Sequence, residues 1–248
     1  MIDYQSMRII TDPLCDSSHR AGCLGPSVLV RIEHFIKQRF NRQLYRTMET
    51  GCGRSSVLFS NLSQHHLIFT LDDRDRERSS VNYVLDFQAF NSDNAEFIMG
   101  CTQTTLPSYN WGTELFDCVL LDGPHGWPFP DLEYYWVYDK IRPDGILLVD
   151  DVHIPTIGRM ADIIAEDKQW EFHGLVDCCA VFTRTSAPVF DRLGDGWWLQ
   201  RYNCRRTRID RLRTQDYQQR RSFVDLNIDL SWAQSLQMFP EIDLKFKR

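Results

Sequence analysis

The 248-residue sequence has no run approaching the roughly 18 uninterrupted apolar residues that a membrane-spanning helix requires, so no membrane segment is expected. It also lacks any Cys-x-x-Cys pair. Its eight cysteines, at 15, 23, 52, 101, 118, 178, 179 and 204, are scattered, several within apolar runs, as suits reduced, partly buried thiols rather than a disulfide frame or a structural zinc site. Thirteen glycines are far too few for collagen, and a hydrophobic content of 43% is too rich for disorder. A basic excess is missing: 28 Lys and Arg stand against 34 Asp and Glu, a formal net charge of −6, which argues against a surface built throughout for nucleic acid or anionic membrane. The opening Met1-Ile2-Asp3-Tyr4 shows neither the basic nor the apolar region of a signal peptide, and a cytoplasmic address is the expectation. There is no internal repeat and no low-complexity tract.

What is present falls into three parts. Residues 1–43 form a lead-in: a polar, turn-rich start, then apolar positions from Ser27 to Ile36 that suit an amphipathic helix. Residues 44–185 read as βα units, with short apolar runs at Leu44–Met48, Leu67–Leu71, Glu96–Met99, Phe116–Leu121 and Ile146–Val149 separated by helix-like stretches. Two further runs, Trp170–Leu175 and Cys178–Thr183, are too close for a crossover helix and predict an antiparallel hairpin. The expectation is an α/β fold with a mostly parallel sheet of seven strands, one of them antiparallel. Residues 186–248 form an extension expected to pack on the core or on a partner subunit of a homo-oligomer, with an amphipathic tail near Leu230–Met238. It holds a basic cluster, eight arginines between Arg201 and Arg221 against Asp210 and Asp216, which reads as a solvated face, a subunit contact or a nucleic-acid contact.

The chemistry gathers just after the predicted strands. Glu49-Thr50-Gly51-Cys52-Gly53-Arg54-Ser55-Ser56 follows the first strand, where glycines let the backbone approach a ligand or simply make a tight turn. A dinucleotide fingerprint would want a small residue where Ser56 stands, and Glu49 disfavours a pyrophosphate. The acid suits a ligand with a cationic end, such as the amino group of S-adenosylmethionine, held directly or through water. Asp72, after the second strand, can accept two hydrogen bonds from a ribose diol, or can cap a helix. Thr102 and Gln103, after the third, offer polar groups to an adenine edge. Strand four runs into Asp122-Gly123-Pro124-His125 and strand five into Asp150-Asp151-Val152-His153. Three carboxylates in one crevice repel unless a cation offsets them, and hard oxygen donors suit Mg²⁺ or another divalent cation. His125 sits where it can take a proton from a hydroxyl or can be satisfied by loop backbone, and His153 reads as a structural residue or as a supporting or substrate residue.

The Glu-x-Gly-x-Gly turn, the acid at 72, the Asp122-Gly-Pro-His125 segment and the Arg142-Pro-Asp-Gly-Ile-Leu-Leu-Val-Asp-Asp151 run together resemble class I S-adenosylmethionine-dependent methyltransferases. The resemblance, over about Leu44 to Arg184, is to the metal-dependent catechol-type and macrolide-sugar O-methyltransferases. It implies a Rossmann-like three-layer sandwich, a donor site around Glu49, Gly51, Gly53, Ser55, Asp72, Thr102, Gln103 and Asp122, and metal ligands Asp122, Asp150 and Asp151. His125 falls on the family's general base, which is His in the sugar type and Lys in the catechol type. The implied acceptor is a small molecule bearing a hydroxyl, a sugar or a phenol. Trp127, Phe129, Trp136, Trp197 and Trp198 either line its pocket or fill the core. Two other readings are a nucleic-acid methyltransferase or RNA-binding protein working through Arg201–Arg221, and a relative that binds the donor without catalysis.

Overall fold

The structure, a computed structural model, describes residues 24–77, 79–190 and 200–206. The apolar runs form the strands β1 (Leu44–Thr50), β2 (Ser63–Thr70), β3 (Ala95–Met99), β4 (Phe116–Leu121), β5 (Ile141–Val149), β6 (Trp170–Val176) and β7 (Cys179–Arg184). They make one sheet of seven strands in the order β3-β2-β1-β4-β5-β7-β6. All neighbours up to β5 pair in parallel, and β7 runs antiparallel to both β5 and β6. The expected architecture, including its single antiparallel strand, is the observed one.

Central strands are apolar on both faces because helices cover both. On one side Val119, Leu121, Leu147 and Val149 pack with Ile157, Met160, Ala161 and Ile164 of α6 (Pro155–Glu166). That spacing of i, i+3, i+4 and i+7 is one helical face. Val137 of α5 (Phe129–Val137) and Leu106 of α4 (Thr102–Ser108) complete this layer. On the other side Cys118, Leu120, Ile146 and Leu148 meet α1 (Pro26–Arg39) through Val28, Leu29, Ile32 and Ile36. They also meet α2 (Arg54–Leu62) through Val57, Leu58 and Phe59. A short helix, α3 (Ser80–Leu85), adds Val84. Prolines at the starts of α1 and α6 fit the first helical turn, where no amide hydrogen is needed.

One charged residue, Asp117, is buried within β4. It accepts from Arg42 at 2.6 Å, Arg142 at 2.9 Å and the Tyr45 amide at 2.6 Å. Burial would raise its carboxyl, but these three donors outweigh it and hold the group below the ordinary range. They also tie the entry of β1 and the β4–β5 corner together.

β4 spans the predicted run, and β7 is shifted by one residue, but the other strands are longer than the sequence runs suggested. β2 begins at Ser63 and β5 at Ile141, because polar residues there pair with neighbours whatever their side chains. The chain divides into two units, Met1–Gly194 and Asp195–Arg248; in the second, α7 (Arg201–Arg206) is described. Residues 1–23, Trp197, Trp198, the rest of the arginine cluster and the Leu230–Met238 tail lie outside the described residues. Among those described, no helix is long and apolar enough to cross a membrane.

Candidate active site

Strand order reverses between β1 and β4, so the loops leaving their carboxyl ends diverge and open a crevice. Both main motifs lie there. Gly51 has φ +91°, and a Cβ on it would stand 2.4 Å from the Asp122 carbonyl oxygen, so only glycine lets the two loops meet. Gly53, by contrast, leaves open space where a side chain would be. The Asp122 amide donates to Thr50 Oγ1 at 3.0 Å, and the Asp150 amide to the Leu121 carbonyl at 3.0 Å. The three strand ends are thus stitched into one rim.

Glu49 is fully buried in β1. Its Oε1 accepts from the Ser56 hydroxyl and faces His66 Nε2 at 3.3 Å, while Oε2 has no hydrogen-bond partner. This explains Ser56: the hydroxyl that spoils a dinucleotide fingerprint orients Glu49. His66 was not foreseen from sequence. The Phe59 carbonyl can only accept, so Ser63 donates to it, Thr47 donates to Ser63, and His66 Nδ1 donates to Thr47.

The acidic rim is denser than expected. His125 Nε2 lies 2.8 Å from Asp151 Oδ2 and 4.0 Å from Asp122 Oδ1, and its carbonyl is anchored by Thr156 Oγ1 at 2.6 Å. Ligand atoms of Asp122, His125 and Asp151 lie within 4.8 Å of one another. Asp150, predicted to share the site, is buried and lies outside this grouping, with Cys178 Sγ 3.7 Å from its Oδ1. Asp151 adopts φ +56°, a left-handed conformation uncommon for a residue with a side chain.

Burial, then the neighbouring Asp150 and Asp151, push the Asp122 carboxyl well above its ordinary value. Burial chiefly raises Asp150 to about 6. His125 is raised, mainly by its hydrogen bond to Asp151. Such crowding of like charge is eased by protonation or by a cation.

Glu133 of α5 also went unseen in the sequence, although it shares the inward face with Pro130 and Val137, where an acid is out of place. It is 2% exposed, accepts from Thr50 Oγ1 at 2.8 Å, and fills the space that a Cβ on Gly123 would take. Burial raises it to about 7, against the hydrogen bonds of Thr102 and Thr50. Below about pH 4.5 both folded and unfolded chains hold this proton. As pH climbs toward 7 the unfolded chain releases it first, so stability falls, by up to roughly 3 kcal/mol. Glu133→Gln is expected to flatten the pH dependence of urea unfolding across that interval; an unchanged slope would contradict the assignment.

The remaining predicted residues are placed less simply. Asp72 lies at the exit of β2 as anticipated, but both its oxygens are engaged by Arg74, at 2.8 and 2.6 Å, which holds it down to about 2. Its neighbour Asp73 caps α3 through Ser79 and the Ser80 amide. Ser55 is buried in the first turn of α2. Thr102 begins α4, turned to Glu133, and Gln103 donates to Thr102 at 3.0 Å. Trp127 is 71% exposed just beyond His125, whereas Trp136 packs against the core.

Residues 48–152 match a family described as a methyltransferase domain. No curated protein sequence matches the chain. Among solved structures, an O-methyltransferase from Bacillus cereus in complex with SAH is 15% identical, with a TM-score of 0.50 over 72% of this chain and 87% of that one. The Streptomyces achromogenes O-methyltransferase TomG, involved in tomaymycin synthesis and solved with SAM, is 16% identical, with a TM-score of 0.49 over 75% of this chain and 100% of that one. The SAH-bound Podospora anserina methyltransferase PaMTH1 is 15% identical, with a TM-score of 0.46 over 75% and 98%. Over residues 48–152 the chain is thus similar to a methyltransferase domain, and in fold it is similar to the Bacillus cereus O-methyltransferase.

Proposed function

We propose that this domain transfers the methyl group of S-adenosylmethionine to a hydroxyl of a small molecule, a sugar or a phenol, with the help of Mg²⁺ or another divalent cation. The observation that carries the reading is the junction of Gly51 with Asp122, which brings the exits of β1 and β4 together beside the His125–Asp151 pair, with the buried Glu49 two residues before the turn.

The residues fit both groups. A buried acceptor without a donor is unfavourable by about 1–3 kcal/mol, and an ammonium or a water held by it would relieve Glu49 Oε2. Gly53 leaves room for a ligand against the backbone. Asp122, Asp151 and the buried Asp150 are hard oxygen donors suited to a divalent ion. The donor supplies an electrophilic methyl group, and the ion supplies Lewis-acid stabilisation of the acceptor's oxygen.

The chain's own residues do the rest. With Nε2–H donated to Asp151, His125 keeps a lone pair on Nδ1, and there it accepts the proton of the acceptor's hydroxyl. Asp151 fixes the ring and stabilises the imidazolium that forms. Thr156 holds the loop. Trp127 and Phe129, exposed beside His125, offer faces on which a planar or sugar ring stacks. Asp72 would accept the ribose diol after releasing Arg74, with Thr102 and Gln103 nearer the adenine.

Methyl transfer from labelled S-adenosylmethionine should be seen with a panel of phenols and sugars and should vanish in chelator. Full transfer in chelator would overturn the metal role; nucleic acid as sole acceptor would overturn the substrate class.

A further inference from the structure

Asp151 has two carboxylate oxygens, and they face different ways. Oδ2 meets His125; Oδ1 lies 3.6 Å from His153 Nδ1 and 3.7 Å from Cys178 Sγ. Ligand atoms of Asp151, His153 and Cys178 lie within 4.8 Å of one another. One oxygen, one imidazole nitrogen and one sulfur make a donor set of different chemistry from the oxygen-rich group around Asp122. Thiolate and imidazole favour borderline transition ions of the Zn²⁺ class, whereas Mg²⁺ takes oxygen.

Several features hold the three donors together. The Val152 amide donates to the Cys178 carbonyl at 3.0 Å, joining the loop after β5 to the β6–β7 turn. The antiparallel pairing of β5 with β7 brings that turn alongside, with Val149 opposite Ala180. The left-handed backbone of Asp151 turns its carboxylate between the two histidines. A cleft of ≈ 440 Å³, lined by Val152, His153, Leu175, Asp177 and Cys178, opens beside the triad and leaves access for a fourth ligand.

We propose that Asp151, His153 and Cys178 form a second metal site, selective for a Zn²⁺-type ion and bridged through the Asp151 carboxylate to the Asp122 side. Binding would release the thiol proton to solvent and leave three protein donors with one open position, the pattern of a reactive rather than a sealed zinc centre. The inference goes beyond methyl transfer and does not rest on it.

Cobalt titration of the full chain tests this, because Co²⁺ bonded to a thiolate gives an intense near-ultraviolet charge-transfer band that oxygen and nitrogen ligands do not. The expected result is a band that saturates near one equivalent, is displaced by Zn²⁺, disappears in Cys178→Ser, weakens at least tenfold in apparent affinity in His153→Ala, and persists in Asp122→Asn. His153 is half exposed, so its variant remains a fair test should Cys178→Ser misfold. No band, or a band surviving Cys178→Ser, would overturn the site; loss in Asp122→Asn would overturn its separateness. Calorimetry with S-adenosylmethionine is expected to be unchanged in Cys178→Ser, which keeps this outcome distinct from the fate of the methyltransferase reading.

Discussion

His125→Ala is expected to lower kcat for methyl transfer by about 10²–10⁴-fold while leaving the affinity for S-adenosylmethionine within a few-fold of the wild type. The size follows from the role. Among the described residues His125 is the imidazole grouped with Asp122, and the donor's methyl group is already electrophilic, so what the reaction lacks is a deprotonated acceptor. Raised mainly by its hydrogen bond to Asp151, His125 is a stronger base than a free imidazole. The acid limb of the rate profile should therefore lie above the unperturbed histidine value of 6.5. Normal turnover in His125→Ala would assign proton removal to another group.

The glycine turn supplies the second large effect, as a pair of variants with opposite signatures. Gly51→Ala would place a Cβ 2.4 Å from the Asp122 carbonyl oxygen at a backbone angle unfavourable to any side chain. It should lose roughly 1–3 kcal/mol of stability from backbone strain and weaken donor binding on the order of 100-fold, because the Asp122 loop has to move. Gly53→Ala meets no protein atom within 4 Å and has an extended backbone, so it should melt like the wild type. Its donor affinity should still fall at least tenfold, since the new methyl group would occupy the ligand's side of the turn. Thermal melts with calorimetry separate the two, and unchanged affinity in Gly53→Ala would mean that this turn contacts no ligand.

Much of the architecture was legible because it rests on period and spacing. Five apolar runs each followed by a helix-like stretch, then two too close for a crossover, leave few arrangements besides the one observed. The strand-end acids were legible too, since a carboxylate just past an apolar strand of a parallel sheet lies at the rim where ligands collect. What sequence spacing did not carry is pairing between side chains distant in the chain. His66 reads as one polar residue in a strand until Thr47, Ser63 and Glu49 surround it. Glu133 reads as a helix-surface acid until the strand ends close over it. Asp72 is the converse: its place at the exit of β2 was readable, but its bidentate pairing with Arg74 depends on a side-chain conformation that no pattern encodes. The Asp151, His153 and Cys178 grouping was hidden for the same reason, because α6 and β6 separate its members along the chain.

The most direct test is calorimetric titration of the full chain with S-adenosylmethionine and its demethylated product, with and without Mg²⁺. The account predicts saturable binding of one molecule per chain, weakened in Glu49→Gln and Gly53→Ala. Absence of heat and of competition by either ligand, in a protein that melts cooperatively, would contradict it.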